Sequence, residues 1–60
     1  MLVLTREQGK SVIIGNREVV VTVLEVRRGK VTLGFEAKDP NLLIHREEVF
    51  LRIEKGEPRV

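Results

Sequence analysis

The chain has 60 residues, with 11 Lys or Arg against 9 Asp or Glu, so its formal net charge is +2. Without cysteine it can form neither disulfide bonds nor thiolate metal sites, and its single histidine cannot supply an ordinary zinc site. A domain this small buries only about 60% of its unfolded-chain surface, so oligomerisation is the remaining source of extra stability. The small positive charge permits an anionic partner without requiring one.

The sequence contains no pattern typical of membrane insertion or secretion. Its apolar runs fall well short of the ~18 residues of a transmembrane helix, and Met1-Leu2-Val3-Leu4 lacks the basic lead and the length of a signal peptide. We therefore expect one domain over residues 1–60 that is cytoplasmic and has no contact with a membrane.

Short aliphatic runs separated by turn signals predict β-strands through most of the chain. The first is expected at residues 2–6 and the second at 11–14, with Gly9 in the turn between them. Gly15-Asn16 then predicts a hairpin into a third strand at 18–26.

The third strand is the most apolar segment of the chain. Strict alternation places three residues on each of its faces: Val19, Val21 and Val23 on one, and Val20, Leu24 and Val26 on the other. A strand that is apolar on both faces needs a covering layer on each side, and one short chain supplies too little material. We expect two chains to pack their sheets face to face as an obligate homodimer with twofold symmetry.

A basic loop at 27–30 precedes a fourth strand at 31–35, and a second loop at 36–41 leads to a fifth strand-like run at 42–46. The hydrophobic period then becomes helical, which predicts a helix of about nine residues at 47–55 that is stopped by Gly56 and Pro58. The predicted fold is thus mainly β, with five short strands plus a C-terminal helix. Residues 57–60 are expected to fray.

Charged residues at the start of this helix have clear structural roles. Glu47 and Glu48 complement the helix dipole, and Glu48 can pair with Arg52 one turn on. The two carboxylates diverge by about 100° and do not form a facing acid/base pair. His45 is more often a packed, hydrogen-bonded residue than a ligand. Together with a Ser11 that lacks a nucleophile motif, these features predict no catalytic residue, no metal site and no cofactor.

Basic residues at strand ends and in loops are the better candidates for function, because side chains there can converge on a ligand. They are Arg6, Arg27, Arg28, Lys30, Lys38 and Arg46. Arg46 stands out because it lies at the strand-to-helix corner, and its planar fork suits phosphates and base edges. Phe35 and Phe50 fit the core pattern, which disfavours an RNA platform built on exposed aromatic residues. From the residues alone, we expect a β dimer that binds an anionic partner.

Four segments resemble, in order and nearly in spacing, the carbon storage regulator (CsrA/RsmA) family. They are MLVLTR at residues 1–6, Ile14-Gly15, VTLG at 31–34 and HREEVF at 45–50. The resemblance implies an interlocked homodimeric β-sandwich or barrel of five-stranded chains. It also implies an mRNA-binding post-transcriptional regulator that binds GGA-containing hairpins in 5′ leaders, blocks ribosome access and alters mRNA stability. Small regulatory RNAs with GGA motifs are then further partners, and a protein antagonist is left open.

The resemblance places each RNA site where strand one of one subunit lies beside strand five of the other. The implied RNA-binding residues are Leu4, Thr5, Arg6, Ala37, Lys38, Leu42, Ile44, His45 and Arg46. Lys38 stands where the family usually has proline, and Asp39-Pro40-Asn41 makes this loop one residue longer. We expect a less preorganised loop, with consequences for affinity or for the preferred RNA loop sequence.

Two alternatives remain open on the sequence alone. A swapped-hairpin, AbrB-like DNA-binding transcriptional regulator also uses short strands and loop arginines, and a protein-interaction module would bind no nucleic acid at all. Competition between matched RNA and DNA hairpins distinguishes an RNA-binding regulator from the DNA-binding alternative, because the 2′-OH lets a protein tell RNA from DNA. The protein-interaction module predicts no nucleic-acid binding even at low salt, where phosphate contacts are strongest.

Overall fold

The structure, a computed structural model, describes residues 1–56. One antiparallel sheet has the strand order β1 (Ser11–Ile14), β2 (Val19–Arg27), β3 (Lys30–Ala37), and it is followed by helix α1 (Glu47–Glu54). The second, third and fourth predicted strands and the helix are confirmed at nearly the expected bounds. The predicted fraying at 57–60 lies outside the described residues.

Both hairpins of the sheet turn through left-handed backbone. In the β2–β3 turn, Arg28 and Gly29 have φ of 35° and 78°, as a two-residue type I′ hairpin requires at both central positions. In the longer β1–β2 turn, Gly15 and Arg17 have φ of 64° and 67°. The hairpin predicted at Gly15-Asn16 is confirmed.

The register between β2 and β3 gives the sheet one continuous apolar face. Its facing pairs are Val21 with Phe35, Val23 with Leu33, and Val26 with Val31. A register shift between Val23 and Glu25 leaves Leu24 as the extra residue of a β-bulge. Because paired residues share a face, Val26 joins Val21 and Val23, so its predicted place beside Val20 was wrong.

The opposite face of the sheet is mixed in polarity. The hydroxyls of Ser11 and Thr22 are hydrogen-bonded at 2.8 Å, and Glu36 lies opposite Val20. Leu24 covers Gly34 so closely that an added Cβ there would stand 3.1 Å from a Leu24 methyl. The sheet therefore has one face that is suited to a core and another that tolerates water.

The predicted first and fifth strands are not present as strands among residues 1–56 of the single chain. Residues 2–6 and 42–46 belong to no ladder, and no backbone hydrogen bond joins one segment to the other. A strand needs a hydrogen-bonded neighbour. The resemblance pairs these two segments between subunits, so neither could complete its ladder within one chain. The five-stranded fold therefore stays a prediction for the dimer.

The described part of the chain has no buried core. Val31, Leu33 and Phe35, all on the apolar face, are 56%, 45% and 50% exposed. Burial of apolar surface is the main favourable term in folding, so a sheet with an uncovered apolar face needs a further layer. None of the helices in residues 1–56 has the length and apolarity needed to cross a bilayer.

Candidate functional site

Arg46 lies at the corner where the chain enters α1. It is the N-cap residue, with extended backbone at φ −67° and ψ 147°. Its Nε is 3.1 Å from a carboxylate oxygen of Glu48, so Glu48 turns back toward Arg46 and does not form the predicted pair with Arg52. The Arg46 side chain is still 78% exposed, which leaves its guanidinium accessible to an anionic ligand. An exposed pair of this kind contributes at most about 1 kcal/mol to stability.

The residues just before α1 border the apolar face of the sheet. Ile44, His45 and Arg46 line a hollow together with three apolar residues of β3: Val31, Leu33 and Phe35. His45 is half-buried, and its ring centroid lies 6.3 Å from that of Phe50 at an interplanar angle of 39°. His45 is thus partly packed, as the sequence favoured, but its ring takes part in none of the side-chain hydrogen bonds of residues 1–56. The corner therefore combines an apolar floor with a cationic rim.

The loop after β3 is ordered by its own hydrogen bonds. The Lys38 amide donates to the Glu18 carbonyl at 2.9 Å. The Asp39 carboxylate accepts from the Asn41 amide at 2.9 Å, and the Asp39 carbonyl accepts from the Leu42 amide at 3.0 Å. An aspartate that accepts from the residue two positions on forms an Asx turn, which restricts the backbone. These bonds counter the loosening expected from the longer loop and from the absence of proline at position 38.

The structure assembles the predicted site residues in two groups. Ile44, His45 and Arg46 border the hollow on the apolar face, whereas Lys38 and Leu42 line another with Glu18 and Asp39. A third predicted group, Leu4, Thr5 and Arg6, belongs to the exposed N-terminal segment that is outside the sheet. The single chain therefore forms two parts of the predicted site. The third part, the N-terminal residues Leu4, Thr5 and Arg6, is not paired with the sheet.

One basic residue that the sequence did not single out lies next to these residues. Arg17 lines a hollow with Ala37 and Lys38, at the end of the sheet where the β1–β2 turn meets the loop after β3. In the sequence, only its position directly after the turn signal Gly15-Asn16 could have indicated that Arg17 lies in a turn. No group of three or more His, Cys, Asp or Glu that could hold a metal ion occurs in residues 1–56.

Comparison with known proteins identifies the family. A profile of the CsrA global regulator protein family matches residues 1–55. A protein of Wolinella succinogenes named Translational regulator CsrA is 47% identical over 49 residues, which cover 82% of this chain and 62% of that protein. A protein of Rhodopirellula baltica with the same name is 40% identical over 56 residues, covering 93% of this chain and 77% of that protein. The match thus spans less than two thirds of the Wolinella protein. The resemblance read from the sequence is confirmed, and the chain belongs to the CsrA global regulator protein family.

Proposed function

We propose that this chain is a post-transcriptional regulator that binds GGA-containing hairpins in the 5′ leaders of mRNA. Bound there, it blocks ribosome access and alters mRNA stability, and small regulatory RNAs with GGA motifs compete for it. The observation that carries the proposal is the exposed guanidinium of Arg46 above an apolar hollow, in a chain whose family relatives are named translational regulators. Arginine at such a corner can contact phosphates and base edges together.

The acting unit in this proposal is a homodimer. The uncovered apolar face formed by β2 and β3 supports it, because a second copy offers the same face and the two can cover each other. Twofold pairing also gives residues 2–6 of one subunit a neighbour in residues 42–46 of the other. Leu4, Thr5 and Arg6 would then contact the RNA beside Arg46 of the other subunit. Within the single chain, no strand ladder joins these three residues to Arg46.

Recognition in this site would use backbone groups and few aromatic rings. Phe35 and Phe50 are 50% and 48% exposed in the single chain, but Phe35 lies on the apolar face that the proposed dimer would cover and Phe50 lies beside the His45 ring. Ala37 and Lys38 lie in a hydrogen-bonded segment whose backbone can present donors and acceptors to bases in a fixed geometry. We place this activity in the cytoplasm. The DNA-binding alternative gains no support from the comparisons.

The direct test is a binding titration with a labelled GGA hairpin RNA. We expect the GGA hairpin to bind at least tenfold more tightly than a hairpin of the same length with a scrambled loop. Matched DNA hairpin should compete poorly, because a site built for RNA reads the 2′-OH. Equal affinity for the GGA hairpin and the scrambled hairpin would refute the proposed specificity. If the DNA hairpin competes as well as the RNA hairpin, the result would favour the AbrB-like DNA-binding regulator.

A further inference from the structure

Two non-glycine residues among positions 1–56 have left-handed backbone, and both are arginines. Arg17 has φ 67° and Arg28 has φ 35°. Left-handed backbone is disfavoured for any residue with a Cβ, and turns that need it usually contain glycine, asparagine or aspartate. Such an outlier is a reason to look for a function of the side chain. The two arginines lie in different turns, at opposite ends of β2, so they can be considered separately.

Backbone contacts fix the turn of Arg17 against the end of β3. The neighbouring carbonyl of Glu18 accepts the Lys38 amide hydrogen bond at 2.9 Å, and Val19 pairs with Ala37 in the ladder. The turn and the loop therefore keep a fixed relation through the sheet itself. Arg17 is held next to the loop that the proposed function assigns to RNA.

The side chains in this place carry a net positive charge. Arg17, Lys38 and Asn16 line the hollow with a single carboxylate, that of Glu36. The Glu18 side chain instead lies over Gly15. Within residues 1–56 the Arg17 guanidinium has no carboxylate partner in an ion pair, whereas Arg46 and Arg27 each have one. A guanidinium and an ammonium beside an amide form a suitable cradle for a phosphate group.

We propose that Arg17 is a further RNA-contacting residue, which binds a backbone phosphate next to the Ala37–Lys38 loop. This inference rests on the proposed RNA-binding function and extends its site from the loop to the β1–β2 turn. Such a contact positions the RNA and contributes affinity without reading a base. It also explains why an arginine occupies a turn position that glycine would fill with less strain.

The test compares two matched variants, Arg17→Gly and Arg28→Gly. Each removes one positive charge and relieves one left-handed non-glycine residue, so neither is expected to lower the melting midpoint. The two turns are separated along β2 by about 26 Å, at roughly 3.3 Å per residue, which is well beyond the ~8 Å screening length at physiological salt. Arg28 lines a separate hollow with Glu25, Arg27, Lys30 and Thr32, none of which is among the proposed RNA-binding residues. Although the sequence made Arg28 a candidate, the structure keeps it away from the proposed site, so Arg28→Gly controls for charge loss in general.

We expect Arg17→Gly to weaken binding of a GGA hairpin RNA about three- to tenfold at roughly 0.15 M salt. The slope of log K against log salt should become shallower by about 0.7 to 0.9, the value for one lost phosphate contact. Arg28→Gly should leave both quantities unchanged. This pattern, with both variants folded by circular dichroism, would support the proposal.

Three other outcomes would overturn it. Equal losses in Arg17→Gly and Arg28→Gly would mean that only overall charge matters. Unchanged affinity and salt slope in Arg17→Gly, alongside weakened binding by Arg46→Ala, would remove Arg17 from the site and leave the proposed function intact. If the wild-type protein does not bind the hairpin, the proposed function fails and the role of Arg17 fails with it.

Discussion

Replacing Lys38 by proline, the residue that the resemblance implies for this position, should destabilise this protein. Proline has no N–H, so Lys38→Pro removes the hydrogen bond from Lys38 to the Glu18 carbonyl, whose length is 2.9 Å. Loss of such a bond costs about 0.5 to 1.5 kcal/mol. Where φ is compatible and no hydrogen bond is lost, the same substitution would instead stabilise by about 0.4 to 1 kcal/mol through the unfolded state. Because the Lys38 N–H is hydrogen-bonded, the destabilisation outweighs that gain, and the expected net change at position 38 is a loss of about 1 kcal/mol.

Lys38→Ala is the matched control, because it removes the same side chain and keeps the amide. Thermal unfolding at one fixed protein concentration should give a melting midpoint for Lys38→Pro that is several degrees below that of Lys38→Ala, since 1 kcal/mol corresponds to about 4–8 °C in a domain of this size. A midpoint for Lys38→Pro at or above that of Lys38→Ala would refute the structural role of this bond. It would also mean that the loop tolerates the family's proline directly.

Three further predictions follow from the apolar face and the corner. The melting midpoint should rise with protein concentration if, as proposed, folding and dimerisation are coupled; a midpoint independent of concentration would contradict an obligate dimer. Phe35→Asp, on the apolar face, should abolish the dimer in sedimentation, whereas Glu36→Gln on the opposite face should not; a dimeric Phe35→Asp would place the interface elsewhere. Arg46→Ala should weaken GGA-hairpin binding by about 1.5 to 3 kcal/mol, or roughly 10- to 150-fold, with Arg52→Ala as the exposed control; equal effects would deny Arg46 its assigned role.

Local signals explain why the central hairpins and the helix were predictable. Gly29 and Gly15 mark turns whose positive φ they tolerate, and the change from period 2 to helical spacing after Arg46 marks the start of α1. The bulge at Leu24 was not predictable, because strict alternation gives no indication of which residue is extra. The predicted first and fifth strands are absent as strands from residues 1–56 of the single chain, because a local pattern does not show whether a segment has a hydrogen-bonded neighbour.

The site was predictable in part for the same reason. Arg46 could be named as a candidate because a charge at a strand-to-helix corner is visible in the sequence, and the family resemblance supplied the candidate loop residues. The sequence could not show that Glu48 pairs with Arg46, since α-helical spacing favours Arg52 as well. Arg17 was missed because its proximity to Lys38 depends on a hydrogen bond between segments about 20 residues apart and on its own left-handed backbone.

Two equivalent sites on one dimer would let a single protein bridge two hairpins of one transcript. A spacer long enough to connect the sites should then raise apparent affinity by about 10² or more, because the second binding event becomes intramolecular. A spacer too short to reach should abolish this gain. The gain depends on each edge of the dimer being a complete RNA site.

The stoichiometry of binding tests the central claim, that this chain is a symmetric dimeric RNA-binding regulator. Isothermal titration calorimetry with a single GGA hairpin, on protein whose dimeric state has been verified by sedimentation, measures it directly. Twofold symmetry predicts two equivalent hairpins per dimer. A stoichiometry of one hairpin per dimer would contradict the proposal of one RNA site at each edge of the dimer. If titration of the RNA gives no binding heat and no measurable affinity, the proposed function itself is contradicted.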